Sequence, residues 1–391
     1  MRTAESYDAT ESRWVAVAML TAATFIVVTS EMLPIGLLTP VSDDLGVTTG
    51  TVGLSVTITG VTAAVAAPII VRHNRFDRRT AMLMLMGLLA AGNATAAAAW
   101  SFDAMIIARV LVGIGMGGVW AFAASLAPTL VAPRRAATAT ATVFSGVALA
   151  SVLGVPAGTY LGALVGWRTV FGAAGLIALA VLVGLSLSLP KLPVTPEETV
   201  ASIRTLAANR ALRIALIVVA LLVTGHFAAY TYVRPALEQI AGLDADRIGG
   251  ALLAYGLAGM AGNFIAGWCA ARRPRATVIS IGVAVAASVS VVPALGGSVW
   301  LAIGLIATWG IAYGGVSVAT MTWATAAAPN ERESVSGLFV AVFNAAIASG
   351  ALVGGVVNDQ LGVSAALWVG ATLVVLAVGV AIASSKPKRV G

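Results

Sequence analysis

The run WVAVAMLTAATFIVVTSEMLPIGL, Trp14–Leu37, decides the fold. It carries a single charge, Glu31, and at about 1.5 Å per residue it is long enough to cross the ~30 Å hydrocarbon core of a bilayer. It is longer than the apolar core of a signal peptide, and no small-residue cleavage site follows it, so it reads as a retained first span. Only the mixed-charge segment 1–13 precedes it, and that is expected to be cytoplasmic. The run also poses a question: why does a carboxylate sit two turns from the end of a membrane helix?

The rest of the chain has the same character. Of its 391 residues 59% are apolar and 10% charged, with a mean hydropathy of +0.97. A soluble domain carries about 25% charged residues, so this chain has too few charges to cover a solvated surface. A single cysteine, Cys269, excludes an internal disulfide framework. Two histidines, His73 and His226, leave little room for a His-based metal cluster. Neither a metal nor a cofactor is expected, and the absence of a P-loop rules out direct ATP drive.

Runs of about 20 apolar residues fall at 14–37, 51–71, 80–100, 104–126, 138–161, 168–189, 211–234, 247–270, 276–295, 299–322, 334–356 and 363–384. The expected fold is therefore an all-α membrane protein of twelve spans. The Pro- and charge-rich stretch 190–210 divides it into six-helix halves, 14–189 and 211–384, with a short tail at 385–391. The net charge of +7 follows from topology and does not imply a nucleic-acid partner. With the N-terminus inside, nineteen of the 23 Lys and Arg residues fall on cytoplasmic segments, three on outer edges and one, Arg109, within a span. Lys and Arg collect on the cytoplasmic side, which places both termini inside. Arg in excess of Lys, and abundant Ala, Val and Gly, suggest a bacterial source.

The halves repeat. Pro40 and Pro235 both close the first span of their half, VFSG (143–146) matches VFNA (342–345), and YLG (160–162) matches QLG (360–362). Parallel repeats of this kind are typical of secondary transporters.

Charges inside spans are costly and mark pathways or pairs. Glu31 and Arg109 lie at similar depth, about 7–10 Å below the outer surface, and are expected to pair. His226 stands nine residues before Pro235 as Glu31 stands nine before Pro40, so it is the third candidate for proton handling. The glycines of RVLVGIGMGGVW (109–120) are a close-packing surface, since no strand precedes them as a dinucleotide loop would require. Gly146, Gly154, Pro156, Gly158 and Gly162 are expected to form a close helix crossing with a kink that shapes the outer gate. Aromatic residues on spans 4, 7 and 10 (Trp120, Phe227, Tyr230, Tyr232, Trp309, Tyr313) offer stacking faces for a planar solute. Asn344 joins Trp120, Tyr230 and Trp309 as a candidate solute contact.

These motifs resemble the major facilitator superfamily over essentially the whole chain, and within it the bacterial drug/proton antiporter branch. Arg109 with its glycines resembles that branch's fourth-helix motif, and Gly146 to Gly162 its fifth-helix antiporter motif. EMLPIGLLTPVSDDLGV, GGVWAFAASL, LGALVGWRTVF and YTYVRPAL are most similar to purine ribonucleoside efflux pumps, with sugar-efflux relatives next. The resemblance implies that helices 1, 4, 7 and 10 line a central cavity. It also implies a loop motif G-x-x-x-D-R-x-G-R-R after span 2. Here Arg75, Arg78 and Arg79 remain, but Ile70, Asn74 and Asp77 replace the first glycine, the acid and the second glycine.

The expectation is a monomeric inner-membrane exporter, not an enzyme, whose partners are the bilayer, protons and a small organic solute of purine-nucleoside type. Multidrug or sugar efflux is the alternative on the same fold, and a non-transporting membrane sensor a distant one.

Overall fold

A computed structural model describes residues 13–73, 77–191, 206, 208–294, 299–329 and 331–384. Among them twelve helical spans are long and apolar enough to cross a membrane. A chain in lipid must satisfy its backbone internally, and a helix does so within one segment.

The first half contains α1 (Trp14–Gly36), α2 (Leu38–Leu45), α3 (Thr49–His73), α4 (Arg78–Ala97), α5 (Phe102–Leu126), α6 (Ala136–Val165) and α7 (Trp167–Ser188). The second contains α8 (Arg210–Tyr230), α9 (Val233–Gln239), α10 (Ala245–Ala270), α11 (Pro274–Val291), α12 (Val299–Gly314), α13 (Val316–Ala327), α14 (Arg332–Leu361) and α15 (Val363–Ala383). The face at which α1 ends is called distal here, the opposite face proximal. The halves meet where α3 packs on α14 and α6 on α10.

Several helix starts are capped by side chains. Asp77 accepts from the N–H groups of Arg79 and Thr80, Asn209 from those of Ala211 and Leu212, and Asp244 from that of Arg247. Such caps satisfy N–H groups that the helix leaves open. Asp77 therefore has a structural reason to stand where the motif has glycine: it starts α4. The Thr80 hydroxyl, with backbone N–H groups behind it, holds the Asp77 carboxyl below the usual carboxylate range.

Two spans expected to be continuous are broken, the seventh at Thr231–Tyr232 and the tenth at Gly315. The first ends at Gly36, within a residue of the expected end, and Pro40 and Pro235 lie in the short helices that follow the first and seventh spans. The fifth span, by contrast, is one helix of 30 residues that runs through Pro156. Among the described residues the four with positive φ are glycines in two pairs: Gly46 and Gly242 (both φ 64°), and Gly166 and Gly362 (φ 82° and 86°). Each second-half member stands the same distance along the chain from its first-half partner. This corrects the register read from YLG and QLG: Gly362 corresponds to Gly166, one helical turn beyond Gly162. Left-handed φ is nearly free only for glycine, so these four positions mark the repeat more firmly than any matched letters.

α1 and α6 run parallel, and the glycines of α6 meet α1 residue by residue. Gly146 lies against the Thr21 carbonyl, Gly154 against Thr29, Gly158 against Leu33 and Gly162 against Leu37. The expected close crossing is thus present in the packing. On α5, Gly113 and Gly117 face α3, while Gly115 and Gly118 face α4.

Candidate solute and proton site

Glu31 is buried, with 5% of its surface exposed. No hydrogen bond or ion pair among the described residues involves it, and the expected pair with Arg109 is not formed. Arg109 serves α1 differently. Pro34 has no N–H, so the carbonyl four residues earlier, that of Ser30, loses its helical partner. Arg109 Nη1 donates to that carbonyl at 3.0 Å. Asn93 Nδ2 reaches the Ser30 hydroxyl at 2.9 Å and so ties α4 to α1. The guanidinium is fully buried and lies 4.9 Å from the centre of the Phe171 ring. Consecutive side chains leave a helix about 100° apart, so an arginine held at Ser30 is not thereby held at Glu31.

On the second half, α8, α10 and α12 build an aromatic cluster. His226 is its centre. Tyr313 stacks on the imidazole with ring centres 3.2 Å apart, and Tyr230 stacks at 5.0 Å. Tyr230 stacks in turn on Tyr255 at 4.7 Å. Trp309 donates its indole N–H to His226 Nδ1 at 3.1 Å, and the Tyr255 hydroxyl lies 3.5 Å from Nε2. An indole can only donate, so Nδ1 is an acceptor and the proton of the neutral ring sits on Nε2. An imidazolium would have to break the Trp309 bond. In this arrangement His226 accepts at Nδ1 and keeps its proton on Nε2.

Trp309 is fully buried and backs His226, so in this structure it offers no face to a solute. Tyr230 is also buried, whereas Tyr313 is half-buried and its hydroxyl has no partner among the described residues. Trp120 lies on the first half, half-buried and 6.0 Å from Phe144. Asn344 donates to the Val340 carbonyl of its own helix at 2.9 Å, so it neither links helices nor joins the cluster. Arg79 donates to the Ser186 carbonyl, and Arg75 lies outside the described residues. Sequence reading passed over Tyr255, a lone tyrosine in an apolar helix that only packing brings to His226. Two apolar clefts of about 470 and 230 Å³ flank α3, and neither is lined by Glu31. Among the described residues no group of three or more His, Cys, Asp or Glu could hold a metal ion.

The model of the Major Facilitator Superfamily matches residues 20–351 and 248–390. The chain belongs to this superfamily. The purine ribonucleoside efflux pump NepI of Escherichia coli (strain K12) is 31% identical over 381 residues, covering 97% of this chain and 96% of that one. NepI of Shigella sonnei gives the same figures. Among solved structures, an inward-facing, occupied bacterial homolog of the human lysosomal transporter Spinster aligns with TM-score 0.76 at 15% identity, over 96% of this chain and 97% of that one. The nucleoside transporter NupG, in a mutant form, aligns with TM-score 0.74 at 14% identity, over 95% and 100%. At those identities the structures show the major facilitator fold alone. The sequence relatives add that this is a multi-pass membrane transporter of a superfamily that includes efflux pumps.

Proposed function

We propose that this major facilitator protein exports a small planar solute of purine-nucleoside type in exchange for protons, with Glu31 as the proton-binding group. The observation that carries the reading is the placement of Glu31: a buried carboxylate on one half that has no hydrogen-bond or ion-pair partner among the described residues, while the other half holds a buried aromatic cluster. Alternating access presents the same carboxylate to each face in turn. A proton taken up at one face is then delivered at the other while solute moves the opposite way. Aromatic faces, Tyr313 and Tyr230 above all, supply stacking for a heterocycle, and the nucleoside class rests on the name of the 31%-identical pumps. Trp120 is the stacking group of the first half, and Asn344 supplies an amide once the halves part. The Lys and Arg bias supports a cytoplasmic proximal face with both termini inside, and on this reading the protein works in the bacterial inner membrane.

The test is uptake of a radiolabelled purine nucleoside into everted membrane vesicles energised by a proton gradient. Wild-type uptake should collapse on adding a protonophore. Glu31→Gln should lose gradient-driven uptake yet keep solute-for-solute exchange. Wild-type accumulation by Glu31→Gln under the gradient would overturn the assignment.

A further inference from the structure

At the distal face the two halves are joined through helix ends. α3 starts at Thr49, and the first N–H groups of a helix have no partner within it. Asp359, in the last turn of α14, supplies one from the other half. Its Oδ1 accepts the Gly50 N–H at 2.9 Å, its Oδ2 accepts the Thr48 hydroxyl, and the neighbouring Asn358 donates to Thr49 Oγ1 at 2.9 Å. A Cβ on Gly50 would fall on the Asp359 carboxylate, so the close approach depends on glycine there.

The end of α1 shows the converse. The last carbonyls of a helix are likewise open, and Gly36 O accepts Arg234 Nη1 at 2.6 Å. Arg234 is buried, and Glu238 steadies it with a bond of 2.8 Å from Nε to Oε1. The second oxygen of Glu238 accepts the Thr39 hydroxyl at 2.6 Å, so Glu238 also spans the joint. An anion therefore sits on a helix N-terminus and a cation on a helix C-terminus, the favourable sign in both places. Both charges belong to the second half, and each grips a backbone group of the first, Asp359 the Gly50 N–H (with the Thr48 hydroxyl beside it) and Arg234 the Gly36 carbonyl.

We propose that Asp359 and Arg234 form a two-point latch that holds the distal side of the transporter shut, and that it is read by helix polarity rather than by an opposing charge. Nothing in this depends on which solute is carried. An ordinary salt bridge between halves survives exchange of its two charges. This latch does not, because neither helix end can change sign.

The distance between spin labels at Asp43→Cys and Asp246→Cys, both exposed at the distal face, tests the proposal in lipid nanodiscs in a Cys269→Ser background. The unaltered latch should give mainly the short distance. Asp359→Asn and Arg234→Met should each raise the ratio of open to closed by about tenfold, the worth of one charge-assisted hydrogen bond. Asp359→Glu, which keeps the carboxylate, should fall between. The charge exchange Asp359→Arg with Arg234→Asp should stay open. Gly50→Ala strains the same joint without touching a charge and should also open it, which covers a neutral variant that fails to fold. Unchanged distances in the neutral variants and in Gly50→Ala, or closure restored by the charge exchange, would overturn the latch.

Discussion

Arg109 donates to the carbonyl of Ser30, the backbone oxygen that Pro34 deprives of its helical hydrogen bond. The two features are one device. Pro34 opens a gap in the α1 ladder, and a guanidinium from α5 fills it. Arg109→Met should therefore destabilise the protein by about 1–3 kcal/mol, the cost of leaving a buried acceptor unmade. In a Pro34→Ala background, where residue 34 regains its N–H, the same change should cost clearly less. Thermal unfolding of the two singles and the double variant in detergent gives the coupling. Additive effects would mean that Arg109 acts elsewhere.

Glu31 and Arg109 are not paired, and stability can report this independently of transport. Removing one partner of a buried ion pair costs about 3–5 kcal/mol. Glu31→Gln is expected to stay within about 1 kcal/mol of wild type, read as a nearly unchanged thermal midpoint. A drop of many degrees would restore the ion pair.

Trp309 fixes the tautomer of His226. With His73 replaced by Asn, one histidine remains, and its ring nitrogens can be followed by ¹⁵N NMR. The wild-type ring should hold its proton on Nε2 across the assay range. Trp309→Phe keeps an aromatic ring but removes the donor, at about 1 kcal/mol, and should release Nδ1 to protonate as the pH falls. An imidazolium signal from the wild type at neutral pH would contradict the structure.

Gly158 lies directly against Leu33. Gly158→Leu should still insert in the membrane but lose about 1–3 kcal/mol through overpacking, with a lowered midpoint on fluorescence-detected size exclusion and impaired transport. Gly158→Ala should be milder. Full transport by the leucine variant would reduce the glycine face of α6 to filler.

Orientation is checked by reporter fusions. Fusions at Asp43 and Asp359 should read outside, and one at Lys388 inside. An inside signal at Asp43 would invert the bundle and with it the direction of the proposed export.

Span number was legible because ~20 apolar residues in succession have one low-energy arrangement in lipid. Burial of Glu31 was legible too, from its place deep in an apolar run. Its relation to Arg109 was not. Matching depth sets two side chains at one level, but the azimuth around each helix decides whether they meet, and an apolar helix carries no pattern that reveals it. The breaks at Thr231 and Gly315 were hidden for a related reason: hydropathy stays high across them. Tyr255 was missed because a single tyrosine in a span carries no spacing signal, and α10 brings it to His226 only through tertiary packing. The proline-to-arginine device could have been read, since a proline inside a span always leaves one carbonyl to be accounted for.

The seam between α1 and α6 is toothed. Thr29, Leu33 and Leu37 each occupy the notch left by a glycine on the parallel helix, and Thr159 donates to the Gly36 carbonyl at 3.2 Å. To slide along this seam either helix would have to climb out of every notch at once and drop in again a full turn further, about 5.4 Å away. Axial slippage between them is thereby forbidden, and α1 and α6 travel as one rod. Glu31 is fixed to that rod, so whatever moves the α6–α10 contact between the halves carries the carboxylate with it.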